Sequence, residues 1–185
     1  MSPVDRRDAL IAATLPLLVE HGRAVTTKQV AEAAGVAEGT IFRVFDSKDE
    51  LIEAAIAAFF DPWEFVEVLE SLDPTPPLEE KLLNLAEVLQ DRFSSLFEFM
   101  IKVGIKPPPP HSLSEDDDWR RQGNAAAARL IEADADQLRL PPDEVVRLVR
   151  LLTFSGSHPH ISDGRLLTPA EIVGVVLHGV LKENH

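Results

Sequence analysis

Two groups of side chains in this 185-residue sequence have types and spacings that could do chemistry. The first is Glu38, Gly39, Thr40, Phe42, Arg43 and Val44, the exposed positions of a short helix that follows a turn at Gly35. Arg43 is the best candidate for direct readout of a base, because a guanidinium can bond O6 and N7 of guanine bidentately, worth ~1–3 kcal/mol of discrimination. A phosphate or surface contact is the alternative for the same residue. Glu38 can accept from a cytosine N4 amine, although a carboxylate facing DNA repels phosphate. The second group is His158-Pro159-His160 with Asp163, and the Asp134/Asp136 pair. These could ligate zinc or another metal in a metal-dependent enzyme, but no third His and no His-Glu-x-x-His helix supports that reading. A loop joining two helices explains the His158/His160 segment more simply. Phosphate-cradling Gly-x-x-x-x-Gly-Lys, Gly-x-Gly-x-x-Gly and Gly-x-Ser-x-Gly are all absent. No catalytic residue, metal or cofactor is therefore expected.

Helices must position these residues. Ser2 followed by Pro3 reads as an N-cap with proline at the first helical position, and Leu10, Ile11, Ala13, Leu17 and Val19 supply an apolar face to about residue 21. Pro16 interrupts that helix and Gly22 ends it. Thr26-Thr27-Lys28-Gln29 and Ser47-Lys48-Asp49-Glu50 have capping-box spacing. Between them fall a helix over about 27–34, the Gly35 turn and a helix over about 38–44. Ala31 and Ala34 permit close approach, and Val30, Val36, Ile41 and Phe45 form a miniature core. Prolines 62, 74, 76 and 77 predict a loop or short helical turn after a fourth helix. Helices follow over about 78–100, 116–138, 142–155 and 169–183, the last opened by Thr168-Pro169-Ala170-Glu171. Period-2 apolar runs are missing, so the fold class is all-α.

Composition bounds the rest. A net charge of −13 argues, taken whole, against a nucleic-acid partner. Residues 1–48 are neutral, however, with Arg6, Arg7, Arg23, Lys28, Arg43 and Lys48 against 6 acidic residues, and the whole excess lies beyond them. Cys is absent, which removes disulfides and thiolate chemistry and agrees with a reducing compartment. No apolar run approaches a membrane span, so a cytoplasmic protein without a membrane partner is expected.

The run Val30-Ala31-Glu32-Ala33-Ala34-Gly35-Val36-Ala37-Glu38-Gly39-Thr40-Ile41-Phe42-Arg43-Val44-Phe45-Asp46-Ser47-Lys48-Asp49-Glu50-Leu51 resembles the TetR/AcrR family of transcriptional regulators, in register over residues 5–55. The resemblance implies an N-terminal three-helix helix-turn-helix DNA-binding domain at 1–47 and a C-terminal helical effector-binding and dimerisation domain at 48–185. It implies that Thr27, Thr40 and Lys48 touch the phosphate backbone and that Lys28 lies near bases or backbone. Three departures from the family pattern stand out. Phe42 replaces a Tyr and Val44 a His, and Ala37, in place of Ser, leaves the reading helix without a side-chain cap.

One short reading helix is weak alone, so a homodimer on a palindromic double-stranded operator is expected. The last two helices are apolar around most of their circumference, and the resemblance makes them the dimer interface, with Val145, Leu148, Leu152, Val173, Val176 and Val180 as contacts. It also implies a small-molecule effector. Trp63, Arg92, Phe93, Phe97, Met100 and Trp119 are the candidates to line its site, Arg92 as a polar anchor. A dimeric small-molecule binder that has lost operator specificity is the alternative, with the metal-dependent enzyme less favoured.

Overall fold

The computed structural model describes residues 3–105 and 118–179, all helix and loop with no strand among them. Among the described residues nine α-helices run in order: α1 Pro3–His21, α2 Thr27–Ala34, α3 Glu38–Ile41, α4 Lys48–Phe59, α5 Trp63–Glu70, α6 Leu78–Val103, α7 Asp118–Leu130, α8 Pro142–Ser157 and α9 Pro169–His178. Short 3₁₀ turns occupy Gly22–Ala24 and Glu132–Gln137. The described residues fall into two compact units, one within Met1–Asp61 and Glu98–Pro108, the other within Pro62–Phe97 and Pro109–His185.

The first unit is built on α1. Leu10 and Leu18 are fully buried on one face, and Thr14, buried among them, donates its hydroxyl hydrogen to the Leu10 carbonyl at 2.7 Å. Pro16 sits inside α1 without ending it. Gly22 does end it, at φ 58°; a Cβ there would lie 2.8 Å from the Lys102 carbonyl oxygen, so only glycine fits both the backbone and the space. Val25, Val30, Ile41, Phe45, Leu51 and Ile52 close the core, joined by Phe99 and Val103 from the end of α6. Phe59 stacks on Phe99 with ring centroids 3.8 Å apart.

In the second unit α5, the early part of α6, α7, α8 and α9 share a core of Leu82, Leu85, Ile131, Val146, Val149 and Ile172 among others. α5 occupies part of the region read from sequence as loop or helical turn. Pro62 is its N-cap, a position that needs no proline N–H, and Val66 and Leu69 turn inward beside Gly123 of α7. The helix expected over 116–138 breaks after Leu130 into a 3₁₀ turn. The break carries Asp134 to Lys81, a pair at 2.7 Å with side-chain exposures of 13% and 4%. α9 opens with the capping box read from sequence: Thr168 accepts from the Glu171 amide while Glu171 accepts from the Thr168 amide at 2.9 Å. That backbone bond first, and Arg165 with it, holds the Glu171 carboxyl below its ordinary value. Its contribution to α9 is thus present above the ordinary carboxylate range and fades as pH falls through the lowered one.

Candidate nucleic-acid interface

Local rules place α2 and α3. Thr26 accepts from the Gln29 amide and Gln29 returns the bond to the Thr26 amide at 2.8 Å, completing a capping box that fixes where α2 starts. Gly35 ends it at φ 65°, a left-handed conformation that favours glycine, and the Val36 amide donates back to Ala31 at 2.9 Å. α3 then begins at Glu38 behind an uncapped Ala37. Val30, Ile41 and Phe45 are buried and Val36 half-buried, so the miniature core read from sequence forms. Arg7 lies over the Phe45 ring at 5.2 Å.

α3 is shorter than expected. α3 stops at Ile41, and the amides of Arg43 and Val44 donate to residues three back, at Thr40 and Ile41, in a tightened final turn. Phe42, Arg43 and Val44 therefore belong to that turn rather than to a helix reaching 44. Val44, expected to be exposed, is instead half-buried, packed from that turn against the core of the first unit. Phe42 is exposed, as is Gly39, and Thr40 is half-buried.

The cations around this surface differ in what already holds them. Lys48 donates to the carbonyls of Arg23 and Val25 at 3.3 and 3.1 Å, stapling the loop before α2. Arg23 pairs with Glu53 at 2.8 Å. Lys28 approaches Glu32 at 4.0 Å across one turn of α2 and stays exposed. Arg43 is exposed, and its guanidinium makes no hydrogen bond or ion pair among the described residues. Glu38, meanwhile, accepts the Thr27 hydroxyl hydrogen at 2.6 Å. Sequence spacing could not show that link across 11 residues, since it depends on the crossing of α2 and α3. Glu38→Gln keeps an acceptor for Thr27 while removing the charge. It is expected to tighten duplex binding about two- to fivefold, in line with one modest exposed-charge interaction, as read by fluorescence anisotropy at fixed salt.

The residues nominated for a small-molecule site divide between the two units. Met100 is half-buried within the first; Trp63, Arg92, Phe93, Phe97 and Trp119 lie in the second. Phe93 and Phe97 stack at 6.5 Å, and the structure adds two neighbours to them that sequence reading missed: Phe154, 5.2 Å from both rings, and His158, 4.6 Å from Phe97. Arg92 lies over Phe65 at 5.8 Å, Trp119 beside Arg120 at 5.0 Å, and Trp63 is 44% exposed. A separate hollow of about 320 Å³ is lined by residues that include Gln137, Leu138, Leu148 and Val176, and none of the six nominated residues lines it.

The expected dimer face changes in the same way. Val145 and Val173 are 3% and 1% exposed, buried in the core of a single protomer, which corrects their assignment to a partner contact. Leu148, Leu152 and Val176 are half-buried, and Val180 lies outside the described residues. Leu151, Phe154 and Val175 are the large apolar residues left exposed on α8 and α9, at 42%, 41% and 46%. The signal was present in sequence: Leu151 and Phe154 follow exposed Arg147 at helical spacing.

As for the metal reading, the His158 and His160 rings are 5.8 Å apart, and among the described residues no three His, Cys, Asp or Glu gather as a metal site. Asp134 is engaged by Lys81 and by Gln137 at 3.1 Å. No helix among the described residues is long and apolar enough to cross a membrane.

Comparison with known proteins follows the same division. A family model described as bacterial regulatory proteins, tetR family, matches residues 10–55. The HTH-type transcriptional repressor KstR2 of Mycolicibacterium smegmatis is 32% identical over 80 residues, 42% of this chain and 38% of that protein. YvkB of Bacillus subtilis, an uncharacterized HTH-type transcriptional regulator, is 47% identical over 58 residues, 31% of this chain and 30% of that one. The chain thus spans well under half the length of these two relatives. Among solved structures, a TetR-family regulator from Vibrio parahaemolyticus aligns over 96% of this chain and 100% of its own, with TM-score 0.53 and 18% identity. The regulator FadR of Bacillus subtilis, solved in complex with stearoyl-CoA, aligns over 94% and 98% with TM-score 0.57 and 13% identity. At those identities the likeness concerns the fold.

Proposed function

We propose, from the match of residues 10–55 to the tetR-family model, that this chain is a ligand-responsive transcriptional repressor. It binds a palindromic operator as a homodimer and is released by a small molecule. The observation that carries the reading is Arg43, exposed and unpaired beside α3 while Arg23 and Lys48 are already engaged. A free guanidinium next to a helix held by buried Ile41 and Phe45 is what direct base readout needs. Thr27, Lys28, Thr40 and Lys48 serve as phosphate or backbone contacts that set register. Duplex binding is the test: affinity should fall steeply with salt, and Arg43→Ala should relax base preference.

Dimerisation rests on α8 and α9, where Leu151, Phe154 and Val175 stay exposed. Isolated apolar side chains are ordinary on a surface, but three on two adjoining helices make a patch that suits a partner. Leu151→Glu is expected to weaken the dimer about 100-fold or more, because the carboxylate is desolvated without a partner. Light scattering across a concentration series reads the dissociation, and operator affinity should drop with it. A variant that stays dimeric at the same concentrations would remove α8 from the interface.

A small molecule as the releasing signal is supported by a neighbour of the same fold having been solved with stearoyl-CoA, and by the aromatic group in the second unit. The division of charge supports the arrangement, since an acidic remainder repels DNA everywhere except at the neutral first 48 residues.

A further inference from the structure

Arg150 and Phe154 lie one turn apart on α8 and so share a face, and His158, the C-cap residue just past Ser157, brings its ring to 4.6 Å from Phe97. Phe154 meets the rings of Phe93 and Phe97, forming an aromatic wall. Its two ends are anomalous. The Arg150 Nε is buried without an acceptor, and at the other end the His158 Nδ1 is buried without a partner. Arg150 makes no ion pair among the described residues, in a chain with 31 acidic and 18 basic residues. Glu144 is taken by Arg147 at 3.1 Å. Burial pushes the Arg150 guanidinium below its ordinary pKa, and the neighbouring Arg120 and Arg147 push it further. A half-buried guanidinium without an acidic partner is a cost to the free protein that packing alone does not explain.

We propose that this face binds a flat aromatic acid, whose anionic group pairs with Arg150, whose rings lie against Phe93, Phe97 and Phe154, and whose far end carries a polar group for His158. Arg150 and His158 stand eight residues apart, a helical rise of about 12 Å between their backbone positions, comparable with the length of two linked rings. Arg150 thereby replaces Arg92 as the polar anchor, since Arg92 already lies over Phe65. The inference rests on the ligand-responsive reading above and names the chemistry of its ligand.

The test uses the full chain and three probes: 4′-hydroxybiphenyl-4-carboxylate, the corresponding 4-phosphonate, and neutral biphenyl-4,4′-diol. Calorimetric titration should show at least one acid binding at least about tenfold tighter than the diol, the span of a charge-assisted hydrogen bond. Carboxylate and phosphonate compared with each other identify the acid. Arg150→Gln should erase that preference and leave diol binding unchanged, and Arg150→Lys should restore part of it. Without ligand, Arg150→Met should raise the melting temperature by about 2–6 °C, because it removes an unpaired charge and keeps the volume. The proposal is overturned if neither acid binds at millimolar concentration, if Arg150→Gln leaves the preference intact, or if Arg150→Met lowers the melting temperature. Acid binding that leaves operator affinity untouched would keep the site and overturn the ligand-release reading instead.

Discussion

Arg43→Ala is expected to reduce discrimination between the operator and random duplex by about 2–6 kcal/mol in the dimer, from ~1–3 kcal/mol per half-site. The corresponding loss in specific affinity runs from roughly thirtyfold to more than ten-thousandfold. Sequence-independent binding should change far less, because a single phosphate neutralisation alters the salt slope only by about one. The reason lies in the surroundings of Arg43. It is exposed at the tightened end of α3 with no side-chain partner, so its bonds to a base cost no existing interaction. Lys48 differs, since its ammonium already donates to two carbonyls. Replacing Lys48 should therefore disturb the loop before α2 as well as DNA affinity. Competition binding with specific and scrambled duplexes, at two salt concentrations, separates the two effects. Equal losses on both duplexes would make Arg43 a phosphate contact only.

Asp134→Ala is expected to destabilise the second unit by about 3–5 kcal/mol, since it leaves the Lys81 ammonium buried and unpaired. For a chain of this size such a loss lowers the melting temperature by roughly 6–20 °C. The double replacement Lys81→Met with Asp134→Leu should recover most of it, because two apolar residues of similar volume replace a buried pair at little cost. Thermal unfolding by circular dichroism measures both. A single-variant loss under about 1 kcal/mol would mean that the pair behaves as a surface one. Asp134 thus has a structural task, which weighs against its use in catalysis.

The parts of this fold that local rules dictate were readable from the sequence. Capping residues, Gly35 and helical spacing placed α2 and the starts of α4, α8 and α9. The same rules identified Val30, Ile41 and Phe45 as core, because a short helix pair has few other ways to bury apolar surface. What failed depended on tertiary contacts. α5 was obscured by Pro62, which caps a helix as readily as it breaks one. The break after Leu130 brings Asp134 to a lysine 53 positions earlier, a contact that spacing along the chain does not reveal. Likewise, the apolar character of α8 and α9 was visible, but not which side faces the core. Val145 and Val173 turned inward, whereas Leu151 and Val175 remained outside. In the aromatic group, Phe93 and Phe97 followed from spacing along one helix, while Phe154 and the orphaned Arg150 and His158 required the packing of α8.

The most direct test of the central claim is selection of bound sequences from random duplex DNA by the purified full chain, in parallel with Arg43→Ala. A palindromic motif should emerge from the natural sequence, with half-site centres about 34–36 Å apart or a multiple of that, and with a guanine in each half-site. The variant should lose the guanine preference while keeping the spacing. Enrichment of no motif, or of the same motif with and without Arg43, would contradict base readout by this surface and favour a dimeric ligand-binding protein without operator specificity.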